Sequence, residues 1–404
     1  MALKNNTWKL NQWYDQDVAG NVSYSGNGEM WVWGRGNVGE LAQNNRTAYS
    51  SPVQVPGGWY GANVFRRCGY NDLNHTTVVK NDGTLWMWGD NENGELGQNQ
   101  ASAQLAAASS PVQVGTETTW SGGSPLNKAT AVVKTDGTLW SWGYNLYGML
   151  GHNENNVKYS SPTQIPGTTW SQVGSGNLST LAIKTDGTLW SWGAAHFGKL
   201  GQNQTQTSPG GDRSSPAQVG SGTDWACVSG MTNGGAATKT DGTLWAWGIN
   251  NYGQLGQDNT TYRSSPVQIP GTTWGTTELT LLQGVDMCGS IKTDGTLWVW
   301  GQNDKGQLGQ NNETNYSSPR QVGSETTWRS AVVLGTGSAG AILATKTDGT
   351  LWAWGNNHDG RCAQNSDPDN GGPDSYSSPV QIPGTDWKEM IGGAGGGLAA
   401  IKGD

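Results

Sequence analysis

Charged side chains are scarce in this sequence, and so are the residue types that most active sites use. Asp, Glu, Lys and Arg make up 13% of the 404 residues, and there are only 4 His, 4 Cys and 2 Phe. The four cysteines have unrelated spacings, which excludes a CxxC zinc site and a disulfide framework. Neither a P-loop nor an HExxH motif is found, and the histidines fall at unrelated positions. We therefore predict that the protein is not an enzyme and needs no metal or cofactor.

Long apolar runs and basic clusters are also missing. No apolar run approaches the roughly 18 residues of a membrane helix, and the first residues lack the apolar region of a signal peptide. We therefore expect no membrane insertion, and synthesis in the cytoplasm without a signal peptide. The net charge is -8, and Arg66-Arg67 is the only pair of adjacent basic residues. Nucleic-acid-binding proteins carry a basic excess, so nucleic acid is not an expected partner.

Glycine and tryptophan are abundant instead, with 63 and 23 copies. Because glycine costs roughly 1 kcal/mol inside a helix, this composition favours short strands joined by tight turns. The segment Asp136-Gly-Thr-Leu-Trp-Ser-Trp-Gly143 recurs in nearly the same form along the chain. The first tryptophans of its seven copies are Trp31, Trp86, Trp140, Trp190, Trp245, Trp298 and Trp352. Their spacing of 50 to 55 residues indicates a repeated unit.

Each unit carries three further landmarks, which are a Gly-x-Leu-Gly-Gln-Asn stretch, a Ser-Ser-Pro stretch and a lone tryptophan. The two tryptophan positions account for 22 of the 23 tryptophans, and Trp13 is the exception. Alternating apolar residues flank each Asp-Gly, which predicts a hairpin with a two-residue type I′ turn. We interpret the repeated aspartates as turn residues, and the lysines two positions before them as solvated strand ends.

Seven units of about four strands predict an all-β fold, a seven-bladed β-propeller of four-stranded antiparallel blades. A linear β-solenoid is the competing architecture, although a coil of this length would be unusual. The prediction treats residues 1–404 as a single domain. The surplus N-terminal segment 1–25 and C-terminal segment 387–404 are expected to close the ring, because pairing the termini hides the last sheet edge.

The stretch Gly242-Thr-Leu-Trp-Ala-Trp-Gly-Ile-Asn-Asn-Tyr-Gly-Gln-Leu-Gly256 resembles the repeat of the regulator of chromosome condensation (RCC1) family. The resemblance covers roughly residues 8–402, and it implies a seven-bladed propeller. The best-known family member is a guanine-nucleotide exchange factor that acts on a small GTPase and binds chromatin through basic features. Here a basic tail is absent, and the family's Gly-x-x-His feature survives only approximately, as Asn74-His75-Thr76. Exchange activity, or another role as a regulatory scaffold, therefore remains an alternative.

A light sensor similar to the plant ultraviolet-B photoreceptor is a further alternative. It would require arginine interleaved with tryptophan on one face. Only Arg329, after Trp328, follows a repeat tryptophan in this way. The sequence therefore does not favour light sensing.

Function is expected where the repeat varies, because loops change while blades hold them in place. One family of loops of uneven length carries Tyr49, Tyr159, Tyr262, Tyr316 and Tyr376 among amide and hydroxyl side chains. Such a mixture is typical of adaptable recognition surfaces. The sequence equally supports the interpretation that these tyrosines are structural residues in polar turns. Trp13 is the only tryptophan that we consider individually as a recognition residue.

These features predict a structural or recognition propeller. Its main form is a bacteriophage virion surface component, in a tail, fibre or capsid decoration, that contacts proteins or a host surface. The regulatory scaffold is one alternative to the virion component, and a carbohydrate-binding, lectin-like adhesin is another. The expected partner is therefore a protein or a cell-surface glycan. Residues 365–376 form an unusual loop in which Asp367, Asp369 and Asp374 could bind calcium through oxygen ligands. A plain polar loop is the other interpretation of that segment.

Overall fold

The computed structural model describes residues 28–59, 63–64, 74–100, 103–204, 211–334, 340–391 and 397–403. Within these ranges the regular structure is β-strand and short 3₁₀ turns. None of the helical turns there is long and apolar enough to span a membrane. Trp13 and the N-terminal segment 1–25 lie outside the described residues.

The described strands form seven four-stranded antiparallel sheets, numbered here as blades 1 to 7. Blade 1 begins with β1 Glu29–Gly34 and β2 Tyr49–Val55. Blades 2 to 4 comprise β3 Asn63–Val64, β4 His75–Val79, β5 Leu85–Asp90 and β6 Ala107–Gln113; β7 Trp120–Leu126, β8 Ala129–Lys134, β9 Leu139–Tyr144 and β10 Lys158–Ile165; and β11 Trp170–Gly176, β12 Ser179–Lys184, β13 Leu189–Gly193 and β14 Arg213–Gln218.

Blades 5 to 7 repeat the same order. They comprise β15 Trp225–Met231, β16 Gly234–Lys239, β17 Leu244–Gly248 and β18 Arg263–Ile269; β19 Leu281–Gln283, β20 Met287–Ile291, β21 Leu297–Gly301 and β22 Tyr316–Gln321; and β23 Trp328–Leu334, β24 Ala341–Lys346, β25 Leu351–Asn356 and β26 Ser375–Ile382. The last two strands, β27 Trp387–Ile391 and β28 Gly397–Lys402, belong to blade 1. The predicted seven-bladed propeller is confirmed.

The ring closes where the end of the chain meets its beginning. In blade 1, β28 pairs with β1 from Glu29↔Lys402 to Gly34↔Gly397, and β27 pairs with β28. The sheet order is β2-β1-β28-β27, so the two C-terminal strands supply the inner half of the blade. Trp33 and Trp387 then pack edge to face, with ring centroids 6.4 Å apart.

Each face of the propeller has its own set of connections. The chain runs outward through the four strands of a blade, so the turns after the first strand and the loops after the third lie on one face. We call it the loop face. The opposite face carries the Asp-Gly turns and the connections between blades, and we call it the Asp-Gly face.

The Asp-Gly turns differ from the predicted type I′ turn. Only the glycine has positive φ, for example +78° at Gly137, and no aspartate of these turns does. The Gly137 N–H donates to the Lys134 carbonyl at 3.0 Å, and the Lys134 N–H donates to the Thr138 carbonyl at 2.9 Å. This is the three-residue hairpin in which a type I turn is followed by a left-handed glycine. Asp136 Oδ1 accepts the Thr138 N–H at 2.9 Å and so braces the turn.

The blades are joined by a repeated bridge from an indole to a main-chain carbonyl, which we call the indole bridge. The second tryptophan of each pair is fully buried. Its Nε1–H donates to the main-chain carbonyl of the residue after the first glycine of the Gly-x-Leu-Gly stretch in the preceding blade, which in blade 7 reads Gly360-Arg-Cys-Ala363. The seven bridges are Trp33 to Arg361, Trp88 to Glu40, Trp142 to Glu95, Trp192 to Met149, Trp247 to Lys199, Trp300 to Gln254 and Trp354 to Gln307, at 2.6 to 3.0 Å. Because the acceptor is the main chain, the side chain at that position is free to vary.

A second repeated contact joins the Gly-x-Leu-Gly-Gln-Asn stretch to the Ser-Ser-Pro stretch of the next blade. A Cβ atom on Gly198 would lie 2.6 Å from the Ser264 Cα, so only glycine allows this approach. The Asn203 N–H donates to the Ser264 carbonyl at 2.8 Å. Gly360 approaches Ser50 in the same way across the closing junction. These contacts explain why both stretches recur in every unit.

The inner strands meet around the axis. Residues of blades 3 to 7, among them Ser124, Val173 and Leu282, line a cavity there. At the loop-face end the Ser175 hydroxyl donates to the Pro125 carbonyl at 2.8 Å. At the other end Gln172 accepts the Val228 N–H at 2.9 Å. Polar contacts therefore join the inner strands of neighbouring blades at both ends of the cavity.

Candidate functional site

The loop face carries the residues that vary most between blades. In each third-to-fourth-strand loop, the residue before the first glycine of Gly-x-Leu-Gly differs. In order from blade 1 to blade 7 these residues are Val38, Asn93, Tyr147, Phe197, Tyr252, Lys305 and Asp359. Blades 3 to 5 therefore present an aromatic side chain where the others do not. The candidate site is built on these three neighbouring blades.

Four aromatic side chains form two edge-to-face pairs across two neighbouring blade junctions, and we call them the aromatic arc. Tyr147 of blade 3 meets His196 of blade 4 edge to face, with ring centroids 5.5 Å apart. Phe197 of blade 4 meets Tyr262 of blade 5 at 6.2 Å, with an interplanar angle of 82°. Phe197 is 46% exposed and Tyr262 is 43% exposed. Aromatic rings held together but left open to water are typical of protein contact surfaces.

The main chain holds two of these rings in an unfavourable conformation. Tyr147 has φ +58° and Phe197 has φ +59°, in the left-handed region that bulky residues rarely adopt. Each such residue costs of the order of 1–3 kcal/mol. The next residue, Gly198, is docked against Ser264 of the next blade, but the same glycine contact occurs in blades 1, 2, 5 and 6 without a left-handed residue before it. A left-handed conformation also occurs at Asp359 of blade 7, where the side chain is not aromatic.

Tyr262 is fixed at its hydroxyl end. Its O–H donates to Asn251 Oδ1 in the same loop of blade 5, a short hydrogen bond. With the hydroxyl anchored, the ring stands against Phe197 rather than turning freely. Among the five tyrosines predicted from the sequence, Tyr262 belongs to the arc.

The other four predicted tyrosines begin or lie near the start of the outermost strands of blades 1, 3, 6 and 7, and they are half-buried. Tyr159 donates to Glu154 Oε2 at 2.5 Å, and this hydrogen bond raises the pKa of Tyr159 to about 12. Asn45 donates to the Tyr49 hydroxyl at 3.0 Å, and Asn312 donates to the Tyr316 hydroxyl at 3.1 Å. Tyr376 packs with buried residues of blades 6 and 7. The structure thus does not bring the five tyrosines together.

The first tryptophan of each pair, predicted from the sequence as a structural repeat residue, lies on the other side of the molecule, toward the Asp-Gly face. These tryptophans are half-buried. Six of them lie under the lysine that precedes the Asp-Gly turn, and Trp31 lies under Lys402. The interpretation of the lysines before the Asp-Gly turns as solvated strand ends is therefore wrong. Lys184 Nζ, for example, lies 4.0 Å from the Trp190 ring centroid and 4.8 Å from that of Trp170. The lysine stem covers apolar surface while the ammonium lies over two ring faces.

The calcium hypothesis for residues 365–376 has no geometric support. Asp369 and Asp374 are exposed. In the part of the chain that the structure describes, no group of three or more His, Cys, Asp or Glu residues could hold a metal ion.

Comparison with known proteins identifies the family. The model of the RCC1-like domain matches residues 29–401. This chain belongs to the RCC1-like domain family. The resemblance of its repeat to the RCC1 repeat is thereby confirmed.

Individual RCC1-like relatives share about a quarter to a third of their residues with this chain over the matched segments. The Protein RCC2 homolog of Danio rerio is 32% identical over 135 residues, which cover 32% of this chain and 25% of that protein. The Ultraviolet-B receptor UVR8 of Arabidopsis thaliana is 26% identical over 303 residues, covering 74% of this chain and 55% of the receptor. The chain therefore spans a quarter to about half of the length of these two relatives.

A solved structure shows the same fold. Prp20p from Saccharomyces cerevisiae, studied together with its binding properties to Gsp1p and histones, superposes with a TM-score of 0.74. The likeness covers 95% of this chain and 93% of that one at 17% identity, so it concerns the fold alone. The virion, bacteriophage and adhesin hypotheses find no support among these RCC1-like relatives, which instead favour the alternative of a regulatory scaffold.

Sequence reasoning missed most of the arc. The tyrosines predicted as recognition residues included Tyr262, but Tyr147, His196 and Phe197 were not predicted. A signal was present, because Phe197 is one of only 2 phenylalanines in the chain and it stands at the most variable loop position. The contact itself could not be predicted, since Phe197 and Tyr262 meet only through the junction between blades 4 and 5.

Proposed function

We propose that this RCC1-like propeller is a non-enzymatic regulatory scaffold that binds a protein partner through the aromatic arc. The observation that carries the proposal is the exposed Phe197–Tyr262 pair, which crosses the junction between blades 4 and 5. Burying such rings against a partner would remove a large apolar area from water.

The strained backbone at Phe197 supports this proposal. An asparagine or glycine would adopt φ +59° at lower cost. Phe197 is 46% exposed, so the burial of its ring in the folded chain offsets only part of the strain. Residues of this kind cluster at functional sites, where binding gives the compensation.

Known relatives support a protein partner over a glycan. Prp20p has binding properties to Gsp1p and histones, and yeast RCC1 (Prp20) has been solved bound to Kap60. These partners are those of the yeast protein. For this chain they suggest only the class, a protein, and the aromatic arc suggests the contact surface.

Guanine-nucleotide exchange is the second candidate, and it rests on the family resemblance together with the propeller fold shared with Prp20p. Accelerated release of labelled GDP from a panel of small GTPases tests this candidate. Under it, one GTPase responds to the wild-type protein, and substitution of Phe197 weakens the response. An absence of response across the panel removes exchange activity and leaves the scaffold proposal in place.

The scaffold proposal is tested by quantitative affinity purification from cells that produce the chain. The test variant is Phe197→Asn, which removes the ring and suits the left-handed backbone. The matched control is Tyr316→Ser, because Tyr316 lies at the end of the corresponding loop of blade 6, one position after the equivalent of Tyr262, and is outside the arc. We expect one or more proteins to bind the wild type and the control, and to be depleted at least tenfold with Phe197→Asn.

Equal recovery with all three proteins would overturn the role of the arc. Melting temperatures of the variants, measured in parallel, separate loss of a contact from loss of the fold. Phe197→Asn is expected to melt no lower than the wild type, since it relieves backbone strain.

A further inference from the structure

A groove runs between the outermost strands of blades 4 and 5, next to the aromatic arc, and we call it the rim groove. Arg213, where β14 begins, lines its loop-face end, and Lys239, where β16 ends, lines its Asp-Gly end. Asn203, Trp245 and Ser265 line it between these two cations. Its volume is about 600 Å³, which is the size of a small-ligand pocket.

The equivalent groove between blades 6 and 7 is smaller, at about 360 Å³. Glu325 lines that groove and forms an ion pair with Lys346. Three residues before its lone tryptophan, blade 5 has Gly222, where blades 3 and 7 have Glu117 and Glu325. The rim groove is therefore open at a place where a glutamate side chain partly fills the other groove.

A repeated hydrogen bond between side chains is missing at the rim groove. At the six other junctions, a serine of the Ser-Ser-Pro stretch donates to the Asn or Asp that ends the Gly-x-Leu-Gly-Gln-Asn stretch of the preceding blade. The six bonds are Ser51 to Asn365, Ser110 to Asn44, Ser161 to Asn99, Ser215 to Asn153, Ser317 to Asp258 and Ser378 to Asn311, at 3.1 to 3.5 Å. The equivalent side chains here, Asn203 and Ser265, have no hydrogen-bond partner among the described residues. Both are open to a ligand in the groove.

The charge along the rim groove is positive. Its described lining includes Arg213 and Lys239 but no carboxylate, although the chain has a net charge of -8. Lys239 forms an ion pair with Asp224 at 3.1 Å. In the described ranges Arg213 has no ion pair, and its Nε–H donates to Gln202 Oε1 at 3.4 Å. The guanidinium of Arg213 is therefore left to pair with an anion from outside the chain.

The rim groove continues the aromatic arc. Tyr262 of the arc directly precedes β18, and Ser265 of β18 lines the groove. On the side of blade 4, Phe197 of the arc belongs to the same loop as Asn203, which also lines the groove. A chain that contacts the Phe197–Tyr262 pair can therefore run on into the groove.

We propose that the rim groove binds an extended acidic segment of the protein that contacts the aromatic arc. The inference rests on the proposed function, because it takes a protein as the partner. A carboxylate of the segment pairs with Arg213, whose planar guanidinium suits a bidentate contact. The amide of Asn203 and the hydroxyl of Ser265 bond its main chain, since both can donate and accept. The half-buried Trp245 ring covers an apolar side chain of the segment.

Peptide selection on the full chain tests the charge of the segment. The probe is a phage-displayed library of random twelve-residue peptides, and fluorescence polarisation then gives the affinities of the selected peptides. We expect these peptides to be enriched in Asp and Glu. Arg213→Gln should weaken their binding at least fivefold and reduce its salt dependence, because salt screens the ion pair. Arg320→Gln, in the outermost strand of blade 6, is the matched control and should bind like the wild type.

Closing the groove tests its position. Gly222→Gln supplies a side chain of the same length as the glutamates of blades 3 and 7, without their charge. We expect the affinity for the selected peptides to fall at least tenfold, while the melting temperature stays close to that of the wild type. Ser221→Gln is the matched control, because Ser221 is the exposed neighbour of Gly222. Undiminished peptide binding by Gly222→Gln would overturn the proposal.

Two further results would overturn it. One is a selection that enriches no acidic peptide. The other is binding of alginate, an acidic polysaccharide, by the wild type but not by Gly222→Gln when no peptide binds, which would assign the groove to a glycan. The two proposals fail separately, because equal recovery of the partner with Phe197→Asn removes the arc but leaves peptide binding in the groove. Recovery that depends on Phe197 but not on Gly222 removes the groove alone.

Discussion

At the residue scale, the lysine before each Asp-Gly turn shows how one side chain serves two tryptophans. In six blades its ammonium lies over the lone tryptophan and the first tryptophan of the pair. In blade 1, Lys402 at the end of β28 makes the same two contacts without an Asp-Gly turn after it. The sequence suggested a solvated strand end, because a lysine beside a turn is usually exposed. The rings that cover it come from other strands of the same blade, and their position could not be read from the local pattern.

Replacing Lys184 with methionine tests this contact. The methionine keeps an unbranched apolar side chain but removes the charge over Trp170 and Trp190. We expect the free energy of unfolding to fall by about 1 kcal/mol, the size of a partly desolvated cation–π interaction. Urea unfolding followed by tryptophan fluorescence measures it. The same substitution at the exposed Lys128 should change little, and equal effects at both positions would argue against the contact.

A pH prediction also belongs to this scale. Burial, and then repulsion from Asp304, raises the folded-state pKa of Asp286 from 3.8 to about 6, so the folded chain holds the proton more tightly than the unfolded chain. The stability that comes from this proton is complete below about pH 3.8 and is lost as the pH rises through 6. Asp286→Asn should therefore be more stable than wild type at pH 7.5 in metal-free buffer, by about 1 kcal/mol after allowance for solvent screening.

The stability difference between Asp286→Asn and the wild type should shrink toward zero near pH 4. Urea unfolding across this pH range measures it. A constant difference at all pH values would show that the carboxylate does not titrate as described.

At the scale of elements, the unit of structure is the junction between two blades. Strand order and hairpins could be predicted from the sequence, because alternation and Asp-Gly are local signals. The indole bridge could not, since each tryptophan bonds the main chain of a variable residue, 43 to 48 residues earlier in six of the seven bridges. The turn type was also missed, because the φ of the aspartate depends on the bulge that the following glycine makes.

Trp192→Phe tests the indole bridge. It removes the hydrogen bond to the Met149 carbonyl and leaves a small void, because Trp192 is fully buried between blades 3 and 4. We expect the free energy of unfolding to fall by about 2 kcal/mol. Trp190→Phe is the matched control two residues away, where the ring is half-buried and bonds only Thr188 of its own blade. If the control lost as much stability as Trp192→Phe, the bridge would have no special role.

At the scale of the whole molecule, closure of the ring depends on the C-terminal strands. Six residue pairs join β28 to β1, and buried Trp387, Leu398 and Ile401 pack into blade 1. Deleting residues 387–404 leaves β1 as an open edge and removes these apolar contacts. We expect the melting temperature to fall by ~10 °C or more. Adding the missing segment as a peptide should restore part of the loss, and an unchanged melting temperature would make the tail an accessory element.

Of the two parts of the molecule, the propeller scaffold could be predicted from the sequence and the aromatic arc could not. The repeat was plain, so the scaffold could be predicted from spacing alone. The aromatic arc depends on bringing together residues from three units, and Tyr147 and Phe197 also adopt a backbone conformation that their residue types disfavour. Local rules cannot place such residues, because their ring partners come from neighbouring blades and bulky residues rarely adopt the left-handed conformation.

The central claim is that a protein partner contacts the loop face at the aromatic arc. Site-specific photo-cross-linking tests it most directly, with a benzoylphenylalanine placed at Phe197 or, as the control, at the exposed Thr185 on the Asp-Gly face. In cells that produce the chain, we expect a cross-linked partner from position 197 and none from position 185. Cross-linking from position 185 alone, or from neither position, would contradict it.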